Sequence, residues 1–168
     1  PILTDDTLAE YDNVTVINSE CLSSSTGLLV LIAYKLAQQG IPVQDIISEL
    51  EEIKYRLRCS FIIDTTEYMA NRGLISQRLH KIAKALNLHP MLSIRNDKKA
   101  IGGIWLGRTK RAYRRYIRKA LPPDLIPDSD IAFVTYAYLP GETLEWIAEE
   151  IRKTAYFEHV IFQQASAA

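Results

Sequence analysis

Cys21 stands two residues before Ser23-Ser24-Ser25-Thr26. A thiol beside a helix N-terminus is a setting in which a thiolate is favoured as a nucleophile. The same position also suits a small buried residue in a strand-to-helix loop, which is the plainer reading. The three histidines, His80, His89 and His159, lack the i, i+4 spacing and companion glutamate of a zinc-binding helix, and Cys21 lies 38 residues from Cys59. Neither a metal site nor a cofactor is expected. The chain also has no GxSxG elbow, no Walker loop and no GxGxxG turn, so it carries no enzyme signature.

Anion binding is better supplied with residues. Ser23, Ser24 and Ser25 would sit at a helix start, where unpaired N–H groups and a partial positive charge hold a carboxylate or phosphate. Thr65 and Thr66, following Asp64 at the end of a second strand, would open on the same edge. Simple N-capping is the plainer role for these hydroxyls. His89-Pro90 would end a helix, where an imidazole can meet terminal carbonyls or a ligand. Arg111, Arg114, Arg115 and Arg118 recur at i, i+3, i+4 and i+7 and form one basic stripe, with Ala112, Tyr113, Tyr116 and Ile117 on the buried side. Trp105 and Trp146 are expected in the core or at a junction between lobes.

These residues need elements to position them. Val14–Asn18 is β-branched and reads as a strand, followed by a helix to about Gln39 that Gly40 and Pro42 close. Val43, Ile46, Ile47, Leu50, Ile53 and Leu57 give a second amphipathic helix, and Cys59–Ile63 a second strand. Strand, helices and strand form a crossover unit, which implies a parallel pair. Ser76 caps a further helix with Leu79, Ile82, Ala83 and Leu86 inside and Arg78, Lys81 and Lys84 outside. Met91–Arg95 and Ala100–Trp105 flank the turn residues Asn96-Asp97-Lys98-Lys99. A basic helix over 108–120, a strand over 131–136, a helix over 142–154 and a strand over 157–163 complete the chain. The expected fold is therefore α/β: a parallel crossover unit, then a β-β-α-β-α-β lobe with a mixed or antiparallel sheet. Residues 1–75 would form part of a Rossmann-like lobe and 76–168 the second lobe.

Composition bounds the function. The chain has 168 residues, 48% of them apolar and 24% charged, which excludes a disordered or fibrous protein. The longest apolar run, Gly27–Tyr34, falls far short of the roughly 20 residues of a membrane span. Two cysteines make no disulfide framework and suit an intracellular setting. Net charge is zero, yet residues 1–75 carry −6, residues 76–121 carry +12 and residues 122–168 carry −6. Such a block either neutralises the acidic parts of its own fold or meets an acidic protein, an anionic lipid surface or nucleic acid. No helix-turn-helix or RNP-type aromatic pair accompanies it, so nucleic acid is the weakest of these partners.

Several segments, taken in order, resemble the DegV family of bacterial fatty-acid-binding proteins. Val14-Thr15-Val16-Ile17-Asn18-Ser19 is similar to its V-x-V-I-D-S strand, and Ser24-Ser25-Thr26-Gly27-Leu28-Leu29-Val30 to its S-x-G-x-G-L-L-V helix start. Phe61–Met69 resembles F-x-V-D-T/S-L/T-E-Y-L, Gly73-Leu74-Ile75-Ser76 resembles G-R-I-S, and Leu86–Leu92 resembles L-N-I-K-P-I-L. Phe162–Ala168 is similar to the approach to the family's last loop. The resemblance implies a two-lobed cytoplasmic protein, not an enzyme, that holds one fatty acid between its lobes. Such a protein presents the carboxylate to a separate fatty-acid kinase. It places Met69, Leu74, Ile75, Leu79, Met91 and Leu92 along the acyl chain, with Ser23–Ser25 and Thr65-Thr66 toward polar contacts. Arg111, Arg114, Arg115 and Arg118 would face an acidic partner or, transiently, a membrane. Leu74 stands in place of the family's arginine and Asn18 in place of an aspartate. The chain is expected to be a fragment, beginning after the family's first third and stopping before its final loop. A lipid-free interaction or regulatory module is the alternative.

Overall fold

The computed structural model describes residues 13–95, 98–123 and 131–165. Helix α1 spans Ser24–Gln38 and α2 Val43–Ile53, with Gly40 and Pro42 between them. Strand β1 (Cys59–Ile62) leads through a turn into the short α3 (Glu67–Asn71) and α4 (Gln77–Ala85). Gly73 has φ +70°, a left-handed backbone that needs no Cβ relief, and it reverses the chain between α3 and α4. Ser76 caps α4 as its position predicts, its Oγ accepting the Leu79 N–H at 3.2 Å. Strands β2 (Leu88–Arg95) and β3 (Lys98–Leu106) follow, then α5 (Thr109–Ala120), β4 (Ile131–Tyr136), α6 (Gly141–Thr154) and β5 (His159–Gln164). Asn96 and Asp97 of the expected turn, like residues 166–168, lie outside the described residues.

The fold is α/β, with two sheets among the described residues. One is antiparallel, in the order β1-β2-β3, and the other is a parallel pair, β4-β5, joined by α6. The three-stranded sheet thus takes β1 from before residue 75 and β2 and β3 from after it. Helix α5 lies across the three-stranded sheet and packs its other side on α6. The core forms where they meet: Tyr113 and Ile117 from α5 against Ile147 and Ile151 from α6, with Ile62, Val134, Val160 and Phe162 closing in from both sheets. The α5 periodicity therefore holds, since Ala112, Tyr113 and Ile117 are all buried.

Three expectations are corrected. Residues 14–18 form no strand: Val14 and Val16 are exposed, and Asn18 folds back so that its Oδ1 accepts the Glu20 N–H at 3.2 Å. Strand β1, expected to pair in parallel with that segment, instead pairs antiparallel with β2 from Cys59↔Ile94 to Ile62↔Met91. That register buries Ile94 and Met91, which an isolated parallel pairing with 14–18 would leave open. Among the described residues the parallel crossover is β4-α6-β5. Finally, α4 is turned relative to its sequence pattern. Ala83 is buried, but Leu79, Ile82 and Leu86 are about half exposed, at 49%, 53% and 52%. His80, hydrogen-bonded to Thr66, draws the other side of the helix inward.

Candidate functional site

The candidate site is built where β1 ends. Met69 closes the link between α3 and α4, its carbonyl accepting the N–H of Leu74 at 2.8 Å and of Ile75 at 3.4 Å. Met69, Leu74 and Ile75 are thereby brought together; Met69 and Ile75 are half-buried, and Leu74 is 67% exposed. Leu79 continues the open apolar surface along α4 with Ile82 and Leu86. Met91 and Leu92 divide between the two faces of β2. Met91 is buried beside Gly102, the extra residue of a bulge in β3, where an added Cβ would come within 3.1 Å of the Met91 sulfur. Leu92 is half-buried on the opposite face, in one row with Phe61 and Ile101.

The hydroxyls separate into two places. Thr65 accepts the Glu67 N–H at 3.3 Å, and buried Thr66 meets His80 Nδ1 at 2.8 Å, tying the β1–α3 turn to α4. Ser24 lies at the other sheet, its Oγ 2.7 Å from Thr135 Oγ1 near the carboxyl end of β4. Ser23 is the N-cap of α1 without making a side-chain capping bond, at φ 52°. The loop before it is held by buried Lys54, which donates to the Asn18 carbonyl at 3.3 Å and pairs with Glu20 and Glu51. Hydrogen bonding to the Glu51 carboxylate, with help from Glu20, pushes the Lys54 ammonium up to about 12. Cys21 is half-buried, and burial pushes its thiol up, away from the thiolate a nucleophile would need.

A second polar group escaped the sequence. Asp64 accepts a hydrogen bond from the Tyr113 hydroxyl, and its Oδ1 lies 3.5 Å from Nδ1 of the buried His89. His89 Nε2 donates to the Gly107 carbonyl at 3.1 Å, so this imidazole does meet a carbonyl, though not a helix-terminal one. Burial, then the Asp64 contact, push the Tyr113 phenol far above the ordinary tyrosine range. Asp64 at the end of a strand was visible in the sequence. The burial of Tyr113 and His89 against it comes from α5 crossing the sheet, which no local spacing encodes.

The basic stripe is only partly free. Arg114 Nε donates to Glu150 Oε2 at 2.7 Å, and its guanidinium stands 5.5 Å from the centre of the Trp146 ring. Arg111, Arg115 and Arg118 remain exposed. Arg114 and Arg118, with Lys153, Glu150 and Leu121, line a cleft of about 520 Å³ between α5 and α6. Among the described residues, no group of three or more His, Cys, Asp or Glu side chains could hold a metal ion, and no helix is long and apolar enough to cross a membrane.

Residues 3–136 match the family model described as an uncharacterised protein family, DegV. The chain belongs to the DegV family. It is 28% identical over 105 residues to a DegV domain-containing protein of Caldanaerobacter subterraneus, covering 56% of this chain and 38% of that one. A DegV domain-containing protein of Clostridium perfringens is 23% identical over 142 residues, covering 84% of this chain and 48% of that one. The chain thus spans less than half the length of these two relatives. Among solved structures, a DegV protein from Ruminococcus gnavus with vaccenic acid superposes with a TM-score of 0.73 at 13% identity, covering 95% of this chain and 57% of that one. A fatty-acid-binding DegV protein from Thermus thermophilus gives a TM-score of 0.67 at 19% identity, covering 94% and 56%. These likenesses show the DegV fold; the fatty acids belong to those proteins.

Proposed function

We propose that the chain is part of a DegV-type fatty-acid carrier that holds an acyl chain against Met69, Leu74, Ile75 and Leu79. In this reading it works in the cytoplasm, performs no chemistry of its own and presents the ligand carboxylate to a separate kinase. The observation that carries the reading is the unburied apolar surface running from Leu74 along Leu79, Ile82 and Leu86, in a fold whose solved relatives include fatty-acid-binding proteins. Leu79, Ile82 and Leu86, spaced along one side of α4, and Leu74 just before it are large aliphatic side chains left open for something to cover. Each methylene of an acyl chain removed from water there contributes about 0.8 kcal/mol. Thr65, Thr66 and the Ser23–Ser25 group are the candidates for polar contacts on the carboxylate side, though they lie in two places. Leu74, where the family motif has arginine, adds apolar area and removes a cation.

Native mass spectrometry of the purified chain, before and after addition of a long-chain fatty acid, tests the proposal. The expected result is a one-to-one complex that Leu74→Glu with Leu79→Glu abolishes. A chain that stays lipid-free after addition sinks the carrier reading for these residues. It would leave the second reading, an interaction module, which the exposed Arg111, Arg115 and Arg118 on α5 favour. Such a module would bind an acidic protein or anionic membrane without lipid.

A further inference from the structure

We propose that His89 and Asp64 form a proton-operated clasp that fixes the turn from Asp64 to Thr66. His89 is 2% exposed, and its Nε2 faces the Gly107 carbonyl at 3.1 Å. A carbonyl only accepts, so Nε2 carries the ring hydrogen. In the neutral ring Nδ1 is therefore a lone pair. It points at the Asp64 carboxylate, 3.5 Å from Oδ1, and among the described residues it is the buried side-chain nitrogen or oxygen left without a hydrogen-bond partner. Two acceptors facing each other, one on a buried ring and the other on a carboxylate that is 42% exposed, gain nothing from the contact.

One proton changes its sign. Taken from solvent onto Nδ1, it converts the lone pair into an N–H donor and the contact into a charge-assisted hydrogen bond, with no other bond made or broken. The carboxylate is already oriented for this, because the Tyr113 hydroxyl donates to Oδ2 and leaves Oδ1 toward the ring. Burial and Asp64 keep the Tyr113 phenol protonated, so this donor is constant across the range in which imidazoles titrate. The titratable groups facing the ring are Asp64 from the β1–α3 turn and Tyr113 from α5; the β3–α5 turn offers the neutral Gly107 carbonyl. His80 of α4 joins through Thr66, two residues after Asp64.

Closing the clasp therefore pins β1, β2, the start of α5 and the approach to α3 at a single carboxylate. Acidification tightens the turn and a rise in pH slackens it. The clasp stands on this geometry alone and does not depend on the lipid reading.

Two measurements on the whole chain test it, histidine imidazole ¹⁵N NMR and amide hydrogen exchange, both followed from about pH 8 to about pH 5. The expected result is that His89 Nδ1 gains a proton in this range and that the amides of residues 63–66 gain protection as it does, beyond the intrinsic slowing of exchange in acid. In Asp64→Asn the imidazolium-to-imidazole ratio of His89 at a given pH falls at least about tenfold, which corresponds to about one pH unit, and the change in protection is lost. A His89 that stays neutral throughout overturns the proposal, as does an Asp64→Asn chain that titrates like the wild type. Should Asp64→Asn not fold, exchange in the wild type still decides, because protection at 63–66 that is flat with pH also overturns it.

Discussion

Glu150 shows how one carboxylate can hold two helices in register. It is 8% exposed, accepts from Arg114 across the α5–α6 contact, and has Lys153 at 3.5 Å from its other oxygen. The Arg114 hydrogen bond, above all, holds its carboxyl below the ordinary range. Because the folded value is depressed, the stabilisation is present above the unfolded value of about 4 and is lost as the pH falls through the folded one. Thermal unfolding of Glu150→Gln and wild type should therefore differ most near neutral pH and converge only once the pH has fallen through the folded value. A gap that persists unchanged into strong acid would mean that packing, not charge, makes the difference. Met91 offers a contrast without charge. Buried beside the bulge at Gly102, it should lose about 2–5 kcal/mol as Met91→Ala, read from chemical denaturation.

Among the elements, α4 and α5 carry opposite lessons about reading a sequence. In α5 the apolar positions Ala112, Tyr113 and Ile117 are the buried ones, because one flat sheet and one helix sandwich it. In α4 the same kind of spacing fails. Thr66 captures His80, Ala83 turns inward, and the larger side chains are left outside. The pattern correctly marks α4 as amphipathic, but it cannot say that the polar and small residues have the better partner. The strand pairings divide in the same way. The β2–β3 hairpin is local and legible, whereas the partner of β1 depends on a segment thirty residues away. As for the site, Met69, Leu74 and Ile75 were found together because one turn joins them. Asp64, Tyr113 and His89 were not, because three separate elements must meet first. A direct consequence is testable. Leu79→Gln and Ile82→Gln should each change stability by no more than about 0.5 kcal/mol, as exposed positions do, whereas Ile117→Ala should cost about 2–5 kcal/mol. Large losses at Leu79 and Ile82 would mean that the α4 face is covered in solution.

Across the whole molecule, charge is sorted rather than mixed. The acidic first and last segments bracket a +12 centre, and the fold neutralises that centre only in places, as at Arg114 with Glu150. Arg111, Arg115 and Arg118 keep an open cationic surface on α5. Replacing these three with Ala should lower the salt concentration at which the chain leaves a polyanionic matrix, since exposed charges are screened within about 10 Å at 0.1 M salt. Unchanged elution would place the chain's attraction elsewhere.

The hydroxyl pair Ser24–Thr135 spans 111 residues of sequence, and α1 packs on β4 beside it. On a ribosome adding about 5–20 residues each second, α1 emerges several seconds before the strand it leans on. Through that interval α1 can pack on α2, but its side toward β4 has no permanent seat. Helix α1 thus waits for part of its seat, and nascent-chain binding factors would meet that side before β4 does.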